Sequence, residues 1–156
     1  MRKRLLEEEN RQNTAPADWL RLEELAEVEI SSEDARHPIE SALLAEAGSG
    51  WRAAVPGQQT IRLLFAQPQQ LRRIRVRFVE TAVQRTQEYL LRWSGDTGQS
   101  FREIVRQQWN FSPEGSVTQT GEHRVDLSGV TVLELIITPD IGNEHALASL
   151  AELRIA

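Results

Sequence analysis

Arginine, histidine, asparagine and tryptophan residues stand in or beside segments predicted to be loops. Arg, His and Asn can donate hydrogen bonds to hydroxyl groups, and the flat face of a tryptophan covers the apolar face of a sugar ring. The candidate ligand-binding residues are His37, Trp51, Arg52, Arg85 and Asn110, with Asn143 as a further loop donor. Because Trp51 directly follows a glycine, it is either a platform for a ligand or the first core residue of its strand.

The sequence offers little for catalysis or for transition-metal binding. It contains no cysteine, which excludes a thiol nucleophile, a disulfide and a cysteine zinc site. His37, His123 and His145 are scattered along the chain without the spacing of metal ligands. Ser41 lies near His37 and Asp34, but no Gly-x-Ser-x-Gly elbow surrounds it. We therefore predict no catalytic residues.

Three arginines alternate with apolar residues on one predicted strand. Arg73, Arg75 and Arg77 share a sheet face because successive side chains of a strand point to opposite sides. Such a row could bind a polyanion or an acidic partner. It could equally pair with acids on neighbouring strands, for example Glu88 or Glu103, as exposed sheet faces commonly do. The pattern favours the pairing.

Composition limits the class of protein. The 156 residues suit one domain, and 40% hydrophobic residues is too many for a disordered chain. No apolar run approaches the roughly 18–20 residues of a membrane-spanning helix. The net charge of -5 argues against bulk nucleic-acid binding. Basic residues open the sequence, but no apolar export segment follows them, so the expected location is the cytoplasm.

Most of the chain has the alternation and turn spacing of β-strands. Eight strands are predicted over residues 28–30, 60–65, 71–78, 88–93, 103–111, 124–127, 132–137 and 150–155. Ser128-Gly129 is expected to form a turn between the sixth and seventh. No long crossover helix separates these strands, which excludes a parallel α/β fold. The sequence predicts an all-β, antiparallel jelly-roll sandwich.

The N-terminal part has a different pattern. Asp18 can cap a helix that begins at Trp19 and places Leu22, Leu25 and Ala26 on one apolar face. We predict a helical extension over residues 1–27 and a β-sandwich domain over residues 28–156.

The order of these segments resembles the discoidin-like, galactose-binding-type jelly roll of carbohydrate-binding modules. The resemblance covers residues 28–156, where each segment alone is a common strand or turn pattern and their order carries the likeness. The matching segments are Ile30-Ser31-Ser32-Glu33, Ser41-Ala42-Leu43-Leu44, Gly50-Trp51-Arg52-Ala53, residues 59–65, residues 71–76, Tyr89-Leu90-Leu91-Arg92-Trp93-Ser94-Gly95-Asp96, Phe101-Arg102-Glu103-Ile104-Val105 and Ala151-Glu152-Leu153-Arg154-Ile155.

The resemblance implies a non-catalytic module that binds carbohydrate through loops at one end of the sandwich, with one aromatic residue at the rim. A protein-interaction or assembly module with the same fold is the alternative, and a small glycan-processing enzyme is the third. No cofactor is implied beyond a structural calcium, which many members bind with an Asp of the first loop and a Glu of the last strand. Glu152 matches the second position, whereas the first loop offers Glu46 in place of the usual Asp-Gly pair.

Overall fold

Antiparallel strands dominate the computed structural model, which describes residues 19–44 and 49–156. These two ranges contain two four-residue helices, α1 (Leu22–Leu25) and α2 (Glu40–Leu43). The eight strands of the described residues are β1 (Ala26–Ile30), β2 (Trp51–Arg52), β3 (Gln59–Val79), β4 (Arg85–Ser94), β5 (Arg102–Phe111), β6 (Thr118–Thr138), β7 (Ser149–Leu150) and β8 (Glu152–Ile155). No helix in these two ranges is long and apolar enough to cross a membrane.

The two 21-residue strands β3 and β6 run through both layers of the sandwich. The first half of β3 pairs with β1 and with the second half of β6, which also pairs with β4. The second half of β3 pairs with β8 and with the first half of β6. Between Leu64 and Arg73 the register of β3 shifts repeatedly against β6, as expected where a strand bends from one layer into the other.

Two predicted breaks between strands are therefore bends within continuous strands. Residues 60–65 and 71–78 belong to β3, and residues 124–127 and 132–137 belong to β6. The expected turn at Ser128-Gly129 is wrong for the same reason. Gly129 has a φ of +71°, so it lets β6 change direction without ending it. The chain bends where a turn was predicted, but the ladder of hydrogen bonds resumes at Val130.

The core lies between the two layers and follows the predicted alternation. Ile74, Val76 and Phe78 on the second half of β3 are buried, and Tyr89 and Leu91 on β4 face them from the other layer. The rings of Phe78 and Tyr89 lie 5.3 Å apart between centroids. The predicted all-β, antiparallel jelly-roll sandwich is confirmed.

The N-terminal helix is shorter than predicted. It includes only Leu22–Leu25, while Ala26 begins β1 opposite Phe65 of β3. Pairing along β3 satisfies the backbone of this segment and overrides its helical pattern. Leu22 is buried as expected. The Trp19 ring lies against Arg73, whose guanidinium carbon is 4.2 Å from the ring centroid. The predicted Asp18 cap and most of the proposed extension lie outside the described residues.

A hydrogen bond between layers depends on one glycine. The Tyr89 hydroxyl lies 2.7 Å from His123 Nε2, beside Gly121 on β6. A Cβ at Gly121 would lie 2.2 Å from Tyr89 Oη, closer than any real contact. We expect Gly121→Ala to destabilise the domain by about 1–3 kcal/mol, because the buried tyrosine must shift. Urea denaturation checks this, with Gly115→Ala, where a Cβ meets nothing within 4 Å, as the control. Equal effects of both substitutions would contradict it.

The same contact predicts a pH dependence of stability. Burial lowers the pKa of His123, against the opposing influence of Glu122, and burial raises the pKa of Tyr89 to about 12. As pH falls below about 6.5, the unfolded chain binds a proton at His123 before the folded chain does. Stability contributed by neutral His123 is therefore complete above that pH and is lost below it. Denaturation measured between pH 5 and pH 8 should show that the free energy of unfolding decreases as the pH falls. His123→Gln should reduce this dependence, and His145→Gln, at an exposed position, should leave it in place.

Candidate functional site

A cavity of about 510 Å³ opens at one end of the sandwich, where loops from distant parts of the sequence converge. Four of the five predicted ligand-binding residues line it, together with the additional candidate Asn143. The lining residues are His37, Ser49, Trp51, Arg52, Val79, Glu80, Thr81, Ala82, Val83, Arg85, Asp140, Asn143, His145, Ala146, Leu147, Ser149, Leu150 and Ala151. Its volume lies within the range of small-molecule sites, roughly 300–1,000 Å³.

Arg85, the first residue of β4, is the buried cation of this cavity. Its side chain is 5% exposed, donates to the Leu147 carbonyl at 2.9 Å and lies 3.2 Å from Glu80 Oε1. Burial lowers the pKa of the guanidinium, while Glu80 and Asp140 favour its charged form. Its buried Nε has no partner among the described residues. Because an unpaired buried donor is costly, this N–H makes the packing around Arg85 less favourable unless the side chain shifts to give it a partner.

Trp51 is a core residue rather than a platform for a ligand. The residue is 1% exposed, and its indole N–H donates to the Ser32 carbonyl at 3.1 Å. Gly50 precedes it because a Cβ there would lie 2.6 Å from the Leu150 carbonyl oxygen on the neighbouring strand. Of the two roles that the sequence left open for Trp51, the structure shows core packing.

The apolar part of the cavity is aliphatic. Val79, Val83 and Leu147 line it and are 37%, 54% and 38% exposed. Among the described lining residues there is no exposed tryptophan, tyrosine or phenylalanine, so the expected aromatic rim is not found there. The exposed Trp109 lies on β5 opposite Gln87 and is not part of this lining.

His37 and Arg52 form one wall. His37 Nδ1 lies 3.2 Å from the Ser49 hydroxyl, and the Arg52 backbone N–H donates to the His37 carbonyl at 3.1 Å. A short turn from Asp34 to His37 brings the imidazole back beside β2. The Arg52 side chain is exposed, so its guanidinium can reach a ligand at the mouth of the cavity.

Asn110 is not brought to the cavity. It lies on β5 in register with Thr86, whose hydroxyl donates to Asn110 Oδ1 at 2.6 Å. Sequence reasoning also missed Glu80, Asp140 and His145, which the cavity includes. Asp140 stands three residues before the candidate donor Asn143, but only the folded chain places this segment beside β4.

Comparison with known proteins supports the fold. No protein-family model matches the sequence, and no curated protein matches it. Among solved structures, a pectin-binding carbohydrate-binding module is 16% identical with a TM-score of 0.61, over 84% of this chain and 89% of that one. A family 32 module from Clostridium perfringens, in complex with GalNAc-β-1,3-galactose, is 18% identical with a TM-score of 0.61, over 83% and 94%.

The fold is that of the family 32 carbohydrate-binding modules. This confirms the resemblance drawn from the order of strands and turns. The chain is also similar to part of a larger enzyme, a family 29 fucosidase from Ruminococcus gnavus in complex with fucose. There the identity is 10% and the TM-score 0.70, over 96% of this chain and 28% of that one.

Glu152, one of the two predicted calcium ligands, has other partners among the described residues. Glu152 lies 3.5 Å from Arg75 and 3.9 Å from Arg77, so its carboxylate is already paired with two cations. The other predicted ligand, Glu46, lies outside the described residues. Within the described ranges no three His, Cys, Asp or Glu residues group as metal ligands. Glu152 is thus an ion-pair partner among the described residues, and its role as a calcium ligand stays a prediction.

The arginine row pairs across strands, but with partners other than those suggested. Arg73 and Arg75 contact Glu122 of β6 at 3.7 and 2.8 Å, while Arg75 and Arg77 contact Glu152 of β8. Glu88 and Glu103 pair with Arg106 instead. The second half of β3 is flanked by β6 and β8, so acids of β4 and β5 lie beyond its reach.

Proposed function

We propose that this chain is a non-catalytic carbohydrate-binding domain and that the cavity containing Arg85 is its ligand site. The observation that carries the proposal is the convergence of His37, Arg52, Arg85 and Asn143 on one cavity, although they come from four separate segments. Hydrogen-bond donors and acceptors around an apolar patch suit a ligand that has hydroxyl groups and C–H faces. The similar modules that bind pectin or GalNAc-β-1,3-galactose support this ligand class.

The geometry provides a division of roles. The guanidinium groups of buried Arg85 and exposed Arg52 donate to ligand hydroxyls at the floor and mouth of the cavity. Val79, Val83 and Leu147 cover the C–H face of a sugar ring in place of an aromatic residue. Because Arg85 is already held by the Leu147 carbonyl and Glu80, binding costs little additional side-chain entropy there.

The proposal that the domain is non-catalytic rests on the state of the cavity carboxylates. Glu80 accepts hydrogen bonds from the backbone N–H groups of Ala82 and Val83 and is paired with Arg85. Asp140 Oδ1 accepts hydrogen bonds from the backbone N–H groups of Thr86 and Gly142. Both acids are thus occupied in shaping loops, whereas glycoside hydrolysis needs two carboxyl groups free to act on the glycosidic bond.

A glycan screen tests the proposal. The full chain is unfolded thermally with neutral and acidic mono- and oligosaccharides, at low and high salt. A sugar at 100 times its Kd should stabilise the fold by about 2.7 kcal/mol, and a hydrogen-bonded sugar should do so at both salt concentrations. Absence of any shift and of any chemical-shift change at cavity residues would contradict it.

The exposed aliphatic residues favour one second candidate. Val79, Val83 and Leu147 could bury themselves against a protein, which would make the same cavity an interaction or assembly site. A negative glycan screen together with protein capture that is lost on Val83→Asp would support this candidate.

A further inference from the structure

We propose that the Arg154 guanidinium is a built-in cation that fixes residues 42–44, where the first loop of the sandwich begins, and makes a structural calcium unnecessary. Its Nη1 donates to the carbonyl of Ala42 at 2.8 Å and to that of Leu153 at 3.0 Å. Its Nη2 donates to the carbonyl of Leu44 at 3.0 Å. One side chain of the last strand thus gathers three backbone oxygens, two of them more than a hundred residues away in sequence.

These carbonyls need a cationic or donor partner. The last C=O groups of a helix have no partner within it, and α2 ends at Leu43, between the two carbonyls that Arg154 binds. Water reaches this junction poorly, since Ala42 and Leu43 are buried. The planar fork of a guanidinium carries five donors, enough for all three oxygens at once. Arg154 therefore does at this loop what a bound metal ion would do through carbonyl ligands.

The surrounding charges favour arginine over a metal ion. Glu152, the acid that the fold would offer to calcium, lies between Arg75 and Arg77. Burial lowers the pKa of Arg154, Glu152 opposes this effect, and Arg75 and Arg77 add to it. A divalent cation at these carbonyls would have to displace one guanidinium and face two more. This is the opposite of the carboxylate-rich environment that calcium selects.

The inference does not depend on the ligand of the cavity, because it concerns the stability of the unliganded chain.

The first test compares the native full chain in EDTA and in millimolar calcium. We expect the same melting temperature within about 2 °C and no saturable heat of calcium binding in calorimetry, because a ligand that does not bind the folded chain cannot stabilise it. A larger rise in calcium that EDTA reverses would overturn the inference.

The second test is Arg154→Ala, with Arg124→Ala as the matched control on the exposed face of β6. Loss of three charge-assisted hydrogen bonds should lower the melting temperature by roughly 5–10 °C, against less than about 2 °C for the control. Amide exchange of residues 40–44 should accelerate at least about tenfold in Arg154→Ala only.

A conservative variant covers the case in which Arg154→Ala does not fold. Arg154→Lys keeps the charge but lacks the planar fork, so its melting temperature should fall between those of the native chain and the alanine variant. If Arg154→Lys or Arg154→Ala matches Arg124→Ala in both melting temperature and amide exchange, Arg154 is not the cation that fixes this loop.

Discussion

Replacing Glu134 with alanine is expected to destabilise the domain by about 2–4 kcal/mol. Glu134 is 0% exposed in the second half of β6 and pairs with arginines on both neighbouring strands. The distance from Nη2 of Arg62 on β3 to Oε2 of Glu134 is 2.6 Å. Arg92 on β4 pairs with the other carboxylate oxygen of Glu134. Removing the carboxylate leaves two guanidiniums facing each other, although each is about one-third exposed and can turn toward water.

Urea denaturation measures this loss, and two variants control for it. Glu103→Ala removes an acid that is 55% exposed and paired with Arg106, so it should cost no more than about 1 kcal/mol. Glu134→Gln keeps the shape and one hydrogen-bond acceptor and should lie between the two. If Glu134→Ala costs no more than Glu103→Ala, the buried triad contributes nothing beyond an exposed ion pair.

The second large effect concerns binding. We expect Arg85→Lys to weaken the affinity for the glycan found in the screen by about 10- to 100-fold. Lysine keeps the positive charge beside Glu80 but lacks the planar fork that can hold the Leu147 carbonyl and donate to a ligand at the same time. Isothermal calorimetry gives the affinity, and thermal unfolding of the same sample shows whether the variant is folded.

A control tests whether the loss of affinity is specific to the cavity. Arg106→Ala removes an exposed arginine on β5 that is not part of the cavity lining, and should leave the affinity unchanged. Unchanged affinity in a folded Arg85→Lys protein would show that the ligand does not use this guanidinium. Equal losses in both variants would show that the effect of Arg85→Lys is not specific to the cavity.

Local patterns predicted the fold well because burial in a sandwich follows the period of the strand. The alternation of Ile74, Val76 and Phe78 with three arginines assigned one face to the core and one to the surface, as the structure has it. Continuity of strands was less predictable. A bend such as that at Gly129 uses the same residue types as a turn, and only pairing with a neighbouring strand distinguishes the two.

The sequence predicted the types of residue in the candidate site better than it predicted which individual residues line the cavity. Arg85 and Asn110 both looked like loop donors, yet the first lines the cavity and the second bonds Thr86 on the sheet. Trp51 was equally compatible with a platform and with the core. Which face of a strand end points into a cavity depends on sheet register and on loops that arrive from elsewhere in the chain.

The sequence by itself determined an all-β sandwich, the buried alternating positions and the absence of cysteine chemistry, since each follows from residue type and short-range spacing. Tertiary structure alone decided which arginines meet which acids, and it brought Arg154 to carbonyls of the first loop. It also gathered His37, Arg52 and Arg85 around one cavity. These contacts join residues tens to more than a hundred positions apart, and no local pattern encodes the pairing that brings them together.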